Sequence, residues 1–129
     1  VKELDLSSQV MFFKEISEDL KNALIAKSNI FEMPSVIHKK SVEGFGIAYV
    51  EAAQYGVASL GGKDGGASDA IKHDTTGLIC DGNELEDIYS SLNSMLENKK
   101  YLELGKNARE YSSKFNWSNT IEEYKKILQ

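Results

Sequence analysis

Two glutamates, Glu43 and Glu51, bracket the stretch Gly44-Phe45-Gly46-Ile47-Ala48-Tyr49-Val50. A carboxylate accepts hydrogen bonds from neighbouring hydroxyls. Gly44 and Gly46 allow the backbone to approach a ligand closely and to turn sharply into a helix. The first amides of such a helix lack an internal partner and point outward with the positive end of the dipole. That arrangement receives a phosphate. Eight residues of continuous helix cover about 12 Å, too far for the two carboxylates to share a proton or a metal. The pattern suits an extended ligand with hydroxyls at both ends and phosphates between, the layout of a nucleoside diphosphate sugar. The same residues also read as ordinary helix-start electrostatics on a solvated face, because a Glu beside Gly-x-Gly is a weak signal by itself.

The elements that must position this stretch follow from hydrophobic spacing. Residues 1–6 read as the end of a helix already under way. Val10-Met11-Phe12-Phe13 predicts a buried strand. Ser17 offers an N-cap, and Leu20, Ala23, Leu24 and Ala26 carry helical spacing behind it. Ile30–Met33 is the next strand, stopped by Pro34, the only proline. A loop runs to about Gly44, and a helix from about Gly46 to Tyr55 ends on Gly56. Val57–Leu60 is a third strand. Gly61-Gly62-Lys63-Asp64-Gly65-Gly66, with four glycines in six, reads as a tight irregular loop. Ala67–Ile71 is a helical turn, and Gly77–Cys80 is a fourth strand. Three helices follow, over 84–96 on Leu85, Ile88, Leu92 and Leu96, over about 101–111 on Leu102, Leu104 and Ala108, and from Trp117 on Ile121, Tyr124 and Leu128.

Strands alternating with helices predict an α/β fold, a Rossmann-like, mostly parallel sheet with flanking helices. Residues 1–129 make one domain, with no repeat or linker. Such sheets bind ligands beyond the carboxyl ends of their strands. The glycine segments 43–46 and 61–66 both follow strands and are expected to open on that same edge.

Composition narrows the function classes. Net charge is −5, from 15 basic and 20 acidic residues. Arg109 is the only arginine and the lysines are scattered, which argues against a nucleic-acid partner. Lys39-Lys40 with His38 reads as a solvated loop or as a contact for a phosphate or anionic lipid. Cys80 is the only cysteine, which excludes an internal disulfide and a multi-cysteine metal site. It reads as a small buried hydrophobe. No apolar run reaches 18 residues. His73 and His38 read as exposed turn residues, Phe115 and Trp117 as packing anchors, and the three methionines carry no pattern.

The span Glu43 to Glu51 enclosing Gly-Phe-Gly-Ile, followed by Ala52 and Gly56, resembles the signature of family 4 retaining glycosyltransferases of the GT-B fold. The likeness extends over Phe31-Glu32-Met33-Pro34-Ser35, over Gly62–Ile71, over Thr76-Gly77-Leu78 and over Phe115-Asn116-Trp117. It is continuous from 31 to 80. The branch it is most similar to holds the phosphatidylinositol mannosyltransferases and related bacterial enzymes. Where the family often has Gly-x-Pro-Val, this chain has Gly56-Val57-Ala58-Ser59, a change expected to be tolerated.

The resemblance implies that the chain is the C-terminal, donor-binding half of a GT-B enzyme, lacking its first strand and the N-terminal acceptor domain. It implies retaining transfer of a hexosyl group from GDP-mannose or a UDP-sugar to an acceptor hydroxyl, with no cofactor and no metal. Glu43 would hold hydroxyls of the transferred sugar near the reacting carbon. Gly44, Phe45, Gly46 and Ile47 would offer amides to the sugar and the distal phosphate. Glu51 would bind the ribose diol, and Gly65 and Gly66 would line the same cleft. Backbone near Phe12 and Phe13 would touch the base. The family's diphosphate-binding Arg and Lys would precede Val1, so this piece alone is expected to be inactive. The expected location is cytoplasmic, including the inner face of a membrane. A nucleotide-sugar epimerase, a glucan synthase of the same fold and a non-catalytic interaction domain are the competing readings.

Overall fold

The computed structural model describes residues 1–39, 41 and 44–128. Helix α1 (Glu18–Lys27) begins where Ser17 Oγ accepts from the Leu20 amide at 3.2 Å, with Glu18 and Asp19 in its first turn. A carboxylate there favours the positive end of the dipole. Strand β1 (Ile30–Met33) follows, and Pro34 ends it as expected. Helix α2 (Ile47–Gln54) starts from Gly46 and is closed by Gly56, both in the left-handed region, at φ +80° and +76°. Strand β2 (Ala58–Gly62), the short helix α3 (Ala67–Ala70) and strand β3 (Gly77–Cys80) complete the sheet. Helices α4 (Leu85–Leu96), α5 (Lys100–Ser112) and α6 (Trp117–Ile127) form the rest.

The sheet order is β1-β2-β3 and both pairings are parallel, Met33 opposite Gly61 and Gly62 opposite Cys80. All three carboxyl ends therefore lie on one edge, and the loops into α2, α3 and α4 open there. β2 is buried throughout. Ala58 and Leu60 meet Leu78 and Cys80, with Met95 of α4 and Leu104 of α5 packed behind them. A second cluster of Tyr49, Val50, Ala67, Ala70 and Ile71 packs beside Phe31, Met33 and Ile79. Val57, Ala58 and Ser59 are buried, and Ala58 and Ser59 lie in β2, so the departure from Gly-x-Pro-Val is accommodated.

Several expectations are corrected. Val10–Phe13 is not a strand. No strand pairs with it among the described residues, and Met11 and Phe12 are 77% and 83% exposed. An apolar run becomes a strand only where a neighbour receives its backbone bonds, and none of the described strands pairs with it. Residues 1–6 hold one 3₁₀ turn, Lys2–Leu4, ended by Asp5 in the left-handed region. Gly61 and Gly62 are regular strand rather than loop. A Cβ on Gly62 would meet Ser35 O at 2.0 Å, and one on Gly61 would press on Ile71 and Ala67. Glycine here permits close backbone approach inside a strand.

The core stripe of α4 is Ile88, Leu92 and Met95; Leu85 and Leu96 face outward. Met95, fully buried, thus has a pattern after all. On α5, Leu102 is exposed and Gly105 is buried against Gly56, where a Cβ would meet Gly56 O at 2.1 Å. Ile121, Tyr124 and Leu128 of the α6 region are exposed, and so is Trp117 at 81%. Phe115 does pack, against the second cluster. Among the described residues no helix is long and apolar enough to cross a membrane.

Candidate functional site

The carboxyl edge is assembled by backbone meeting backbone. Ser35 N donates to Met33 O at 2.8 Å, turning the chain sharply at the end of β1. Gly62 lies under Ser35, and a Cβ on Gly82 would meet Pro34 O at 2.3 Å. The two glycine loops are in direct contact, since a Cβ on Gly66 would fall 1.5 Å from Gly44 O. The expectation that segments 43–46 and 61–66 open on one edge therefore holds for the described parts of both. Glu43 lies outside the described residues.

The start of α2 is fixed by Tyr49, which the sequence reading did not single out. Its hydroxyl donates to Met33 O at 2.5 Å, and its ring meets Phe31 edge-on at 5.9 Å. The ring also fills the space where a Cβ on Gly46 would be, 2.4 Å from its Cδ2. The ring and hydroxyl thereby tie the first turn of α2 to the end of β1. The amides of Ile47 and Ala48 have no acceptor within α2 and point toward the loop edge. Nothing lies within 4 Å of where a Cβ on Gly44 would be, so that side of Gly44, away from Gly66, faces open space.

Glu51 lies on α2 about 6 Å further along the axis than Ile47. Lys21 of α1 reaches it, with Nζ 3.2 Å from each carboxylate oxygen. The same ammonium is 2.8 Å from Glu18 Oε1. These hydrogen bonds, to Glu18 first and then to Glu51, raise the Lys21 ammonium above its ordinary value. Lys21 was not singled out in the sequence. Its spacing to Glu18 was visible, but its pairing with Glu51 depends on how α1 meets α2.

Around this centre, Phe45 meets Phe115 at 5.3 Å, and Phe115 meets Tyr111 at 5.2 Å. Phe45 and Ile47 line one side of a groove of about 680 Å³ whose other side is Phe115, Trp117 and Tyr124. Gly65, at φ +88°, lies exposed in the neighbouring loop. There Lys63 donates to Asp81 Oδ2 at 2.5 Å, which raises the ammonium and lowers the carboxyl from their ordinary values. Cys80 is buried, and that burial pushes its thiol up. His73 sits at the amino end of β3, away from the edge, where its Nδ1 accepts from the Ile79 amide at 2.9 Å. Among the described residues no group of three or more His, Cys, Asp or Glu could hold a metal ion.

Comparison with known proteins gives this geometry a family. A GDP-mannose-dependent α-(1-6)-phosphatidylinositol monomannoside mannosyltransferase of Mycobacterium tuberculosis is 28% identical over 116 residues, which is 87% of this chain and 30% of that protein. A monoacylated-substrate counterpart from Corynebacterium glutamicum is 33% identical over 96 residues, 72% of this chain and 25% of that one. Among solved structures, Anabaena HepE in complex with UDP superposes with a TM-score of 0.83 at 23% identity, covering 98% of this chain and 34% of that chain. Sucrose-phosphate synthase from Thermosynechococcus elongatus gives 0.81 at 22% identity, covering 98% and 32%. The fold is thus one half of the GT-B arrangement, and the chain spans about a quarter to a third of the length of these four proteins. The family model for glycosyl transferases group 1 matches residues 1–111, nearly the whole of the described α/β unit, and the chain belongs to that family.

Proposed function

We propose that the chain binds a nucleoside diphosphate sugar across its carboxyl edge and serves as the donor half of a retaining hexosyltransferase. The observation that carries this is the start of α2. Its free amides, the open backbone at Gly44 and the adjoining Gly65-Gly66 loop converge at one place. Helix amides with the dipole behind them stabilise a diphosphate, first as a bound group and then as the departing one. Glu51 accepts from the ribose diol, Gly44, Phe45, Gly46 and Ile47 face the sugar and distal phosphate, and Gly65 and Gly66 line the cleft. Glu43 holds the hydroxyls of the transferred sugar. In retaining transfer the diphosphate leaves and the acceptor hydroxyl arrives on the same face of the sugar, through an oxocarbenium-like state. The acceptor is held by a separate N-terminal domain of the longer enzyme.

The GDP-mannose dependence of the mycobacterial relative and the UDP and UDP-glucose bound to HepE support a nucleotide-sugar donor and leave two bases to compare. Saturation-transfer NMR of the chain with GDP-mannose, UDP-glucose and UDP-N-acetylglucosamine decides between them. The expected result is transfer to ribose and diphosphate-proximal protons of one donor, lost in Glu51→Ala. Signal that survives Glu51→Ala unchanged removes Glu51 from the site. Silence with all three donors, repeated on the full-length protein, removes the donor-binding reading.

A further inference from the structure

The carboxylate assigned to the ribose is already engaged on one side. Lys21 Nζ is equidistant from the two oxygens of Glu51, at 3.2 Å from each. An ammonium so placed lies astride the carboxylate. It takes the convergent lone-pair direction on each oxygen and leaves the outward one on each oxygen open. The outward directions diverge, so a ribose hydroxyl meets one of them, at one oxygen. Lys21 is itself held, 2.8 Å from Glu18 Oε1 one turn earlier on α1. Glu18 sits in the turn that Ser17 caps. The chain of contacts runs from the cap of α1, through Glu18 and Lys21, to Glu51 of α2. It crosses between two helices that have no other ion pair joining them among the described residues.

Building on the donor-site reading above, we propose that Lys21 is a positioning residue for nucleotide recognition. Its ammonium, tethered by Glu18, orients the Glu51 carboxylate so that an outward lone-pair direction meets a ribose hydroxyl. A glutamate on a half-exposed helix face otherwise samples several rotamers, and fixing one on binding weakens association. Lys21 fixes it beforehand. The ammonium also offsets part of the carboxylate's charge as seen by an arriving diphosphate.

The test separates positioning from direct contact. UDP, GDP and their 2′,3′-dideoxy analogues are titrated by NMR into the wild-type chain, Lys21→Met, Lys21→Arg, Glu51→Gln and the Lys21→Met/Glu51→Gln double variant. Thermal melts confirm that each is folded. The wild type is expected to prefer the ribose form. Lys21→Met should weaken that form about fivefold and leave the dideoxy form unchanged. Lys21→Arg should recover part of the preference. Adding Lys21→Met to Glu51→Gln should cause no further loss. Equal weakening of the ribose and dideoxy forms means that Lys21 touches the base or phosphate itself and overturns the proposal. Full preference retained in Lys21→Met overturns it too, with the donor site intact. A wild type that binds ribose and dideoxy forms alike overturns the assignment of Glu51 to the diol, and the role of Lys21 with it.

Discussion

The loop edge and the apolar periphery of this molecule are built by different means. At the edge, chain segments touch through their backbones. Gly62 lies against Ser35, Gly82 against Pro34 and Gly66 against Gly44, each with no room for a methyl group. At the periphery, large apolar side chains project without cover, among them Phe12, Trp117, Tyr124 and Ile127. Backbone contacts have fixed lengths and no rotamers, so they hold the start of α2 in one place. Exposed side chains add little to the stability of the unit that carries them. The described backbone of the candidate site is therefore held by contacts that have no rotamers to adjust.

The sharpest way to break this contrast is to place one methyl group on each partner of the Gly44–Gly66 contact. Gly66→Ala puts its Cβ 1.5 Å from a carbonyl oxygen that cannot rotate away, so the two loops must separate. A loss of at least about 3 kcal/mol is expected, read as a lower urea midpoint. Gly44→Ala meets nothing within 4 Å. It should leave the midpoint within about 0.5 kcal/mol of wild type, yet weaken nucleotide-sugar binding by occupying the space the ligand would use. A Gly66→Ala protein as stable as wild type shows that the edge is not rigid. A Gly44→Ala protein with full affinity shows that the open space is not the ligand's.

How far this edge was legible depended on the kind of contact involved. The glycines of 43–46 and 61–66 announced a backbone feature, and parallel strands placed both segments on one side. The strands 30–33 and 77–80 and the cap at Ser17 were readable because their signals are local. Tyr49 was not, because its value lies in a bond to Met33 O sixteen residues earlier. Lys21 was not, because it bonds a glutamate thirty residues later. Gly61 and Gly62 misled because glycine marks both a loop and a strand under close approach. Val10–Phe13 misled because apolar content predicts a wish for burial, while a strand needs a partner.

A smaller effect tests whether charge also helps hold the edge. Asp81 is bonded by Lys63 and by the Asn83 amide, at 2.5 and 3.0 Å. Its folded value lies below the unfolded one, so its contribution is present above about pH 4 and fades as pH falls through the folded value. The Lys63 value is raised, so that contribution persists below about pH 10 and is lost above it. Asp81→Asn keeps the acceptor oxygen and removes the charge. Its stability deficit should be flat from about pH 5 to 9, shrink toward pH 3 and fall with added salt. A deficit unchanged at pH 3 assigns the effect to the Asn83 turn rather than to the ion pair. Lys63 is exposed and Asp81 only partly covered, so the effect should rank well below that of Gly66→Ala.

The smallest expected change lies at the periphery and completes the contrast. Phe12→Ser removes an aromatic side chain that is 83% exposed, and Trp117→Ser removes one that is 81% exposed. Each should shift the stability of this chain by no more than about 0.5 kcal/mol, measured by the same urea titration as Gly66→Ala. Trp117 also lines the groove beside Phe45 and Ile47, whereas Phe12 does not. If the groove belongs to the ligand site, Trp117→Ser weakens nucleotide-sugar binding and Phe12→Ser leaves it unchanged. Equal weakening by both would connect the 10–13 segment to the ligand, in line with the expectation that backbone near Phe12 and Phe13 reaches the base. A large stability loss from either would mean that its ring is packed in solution, and the division between a rigid edge and an uncovered periphery would fail at that residue.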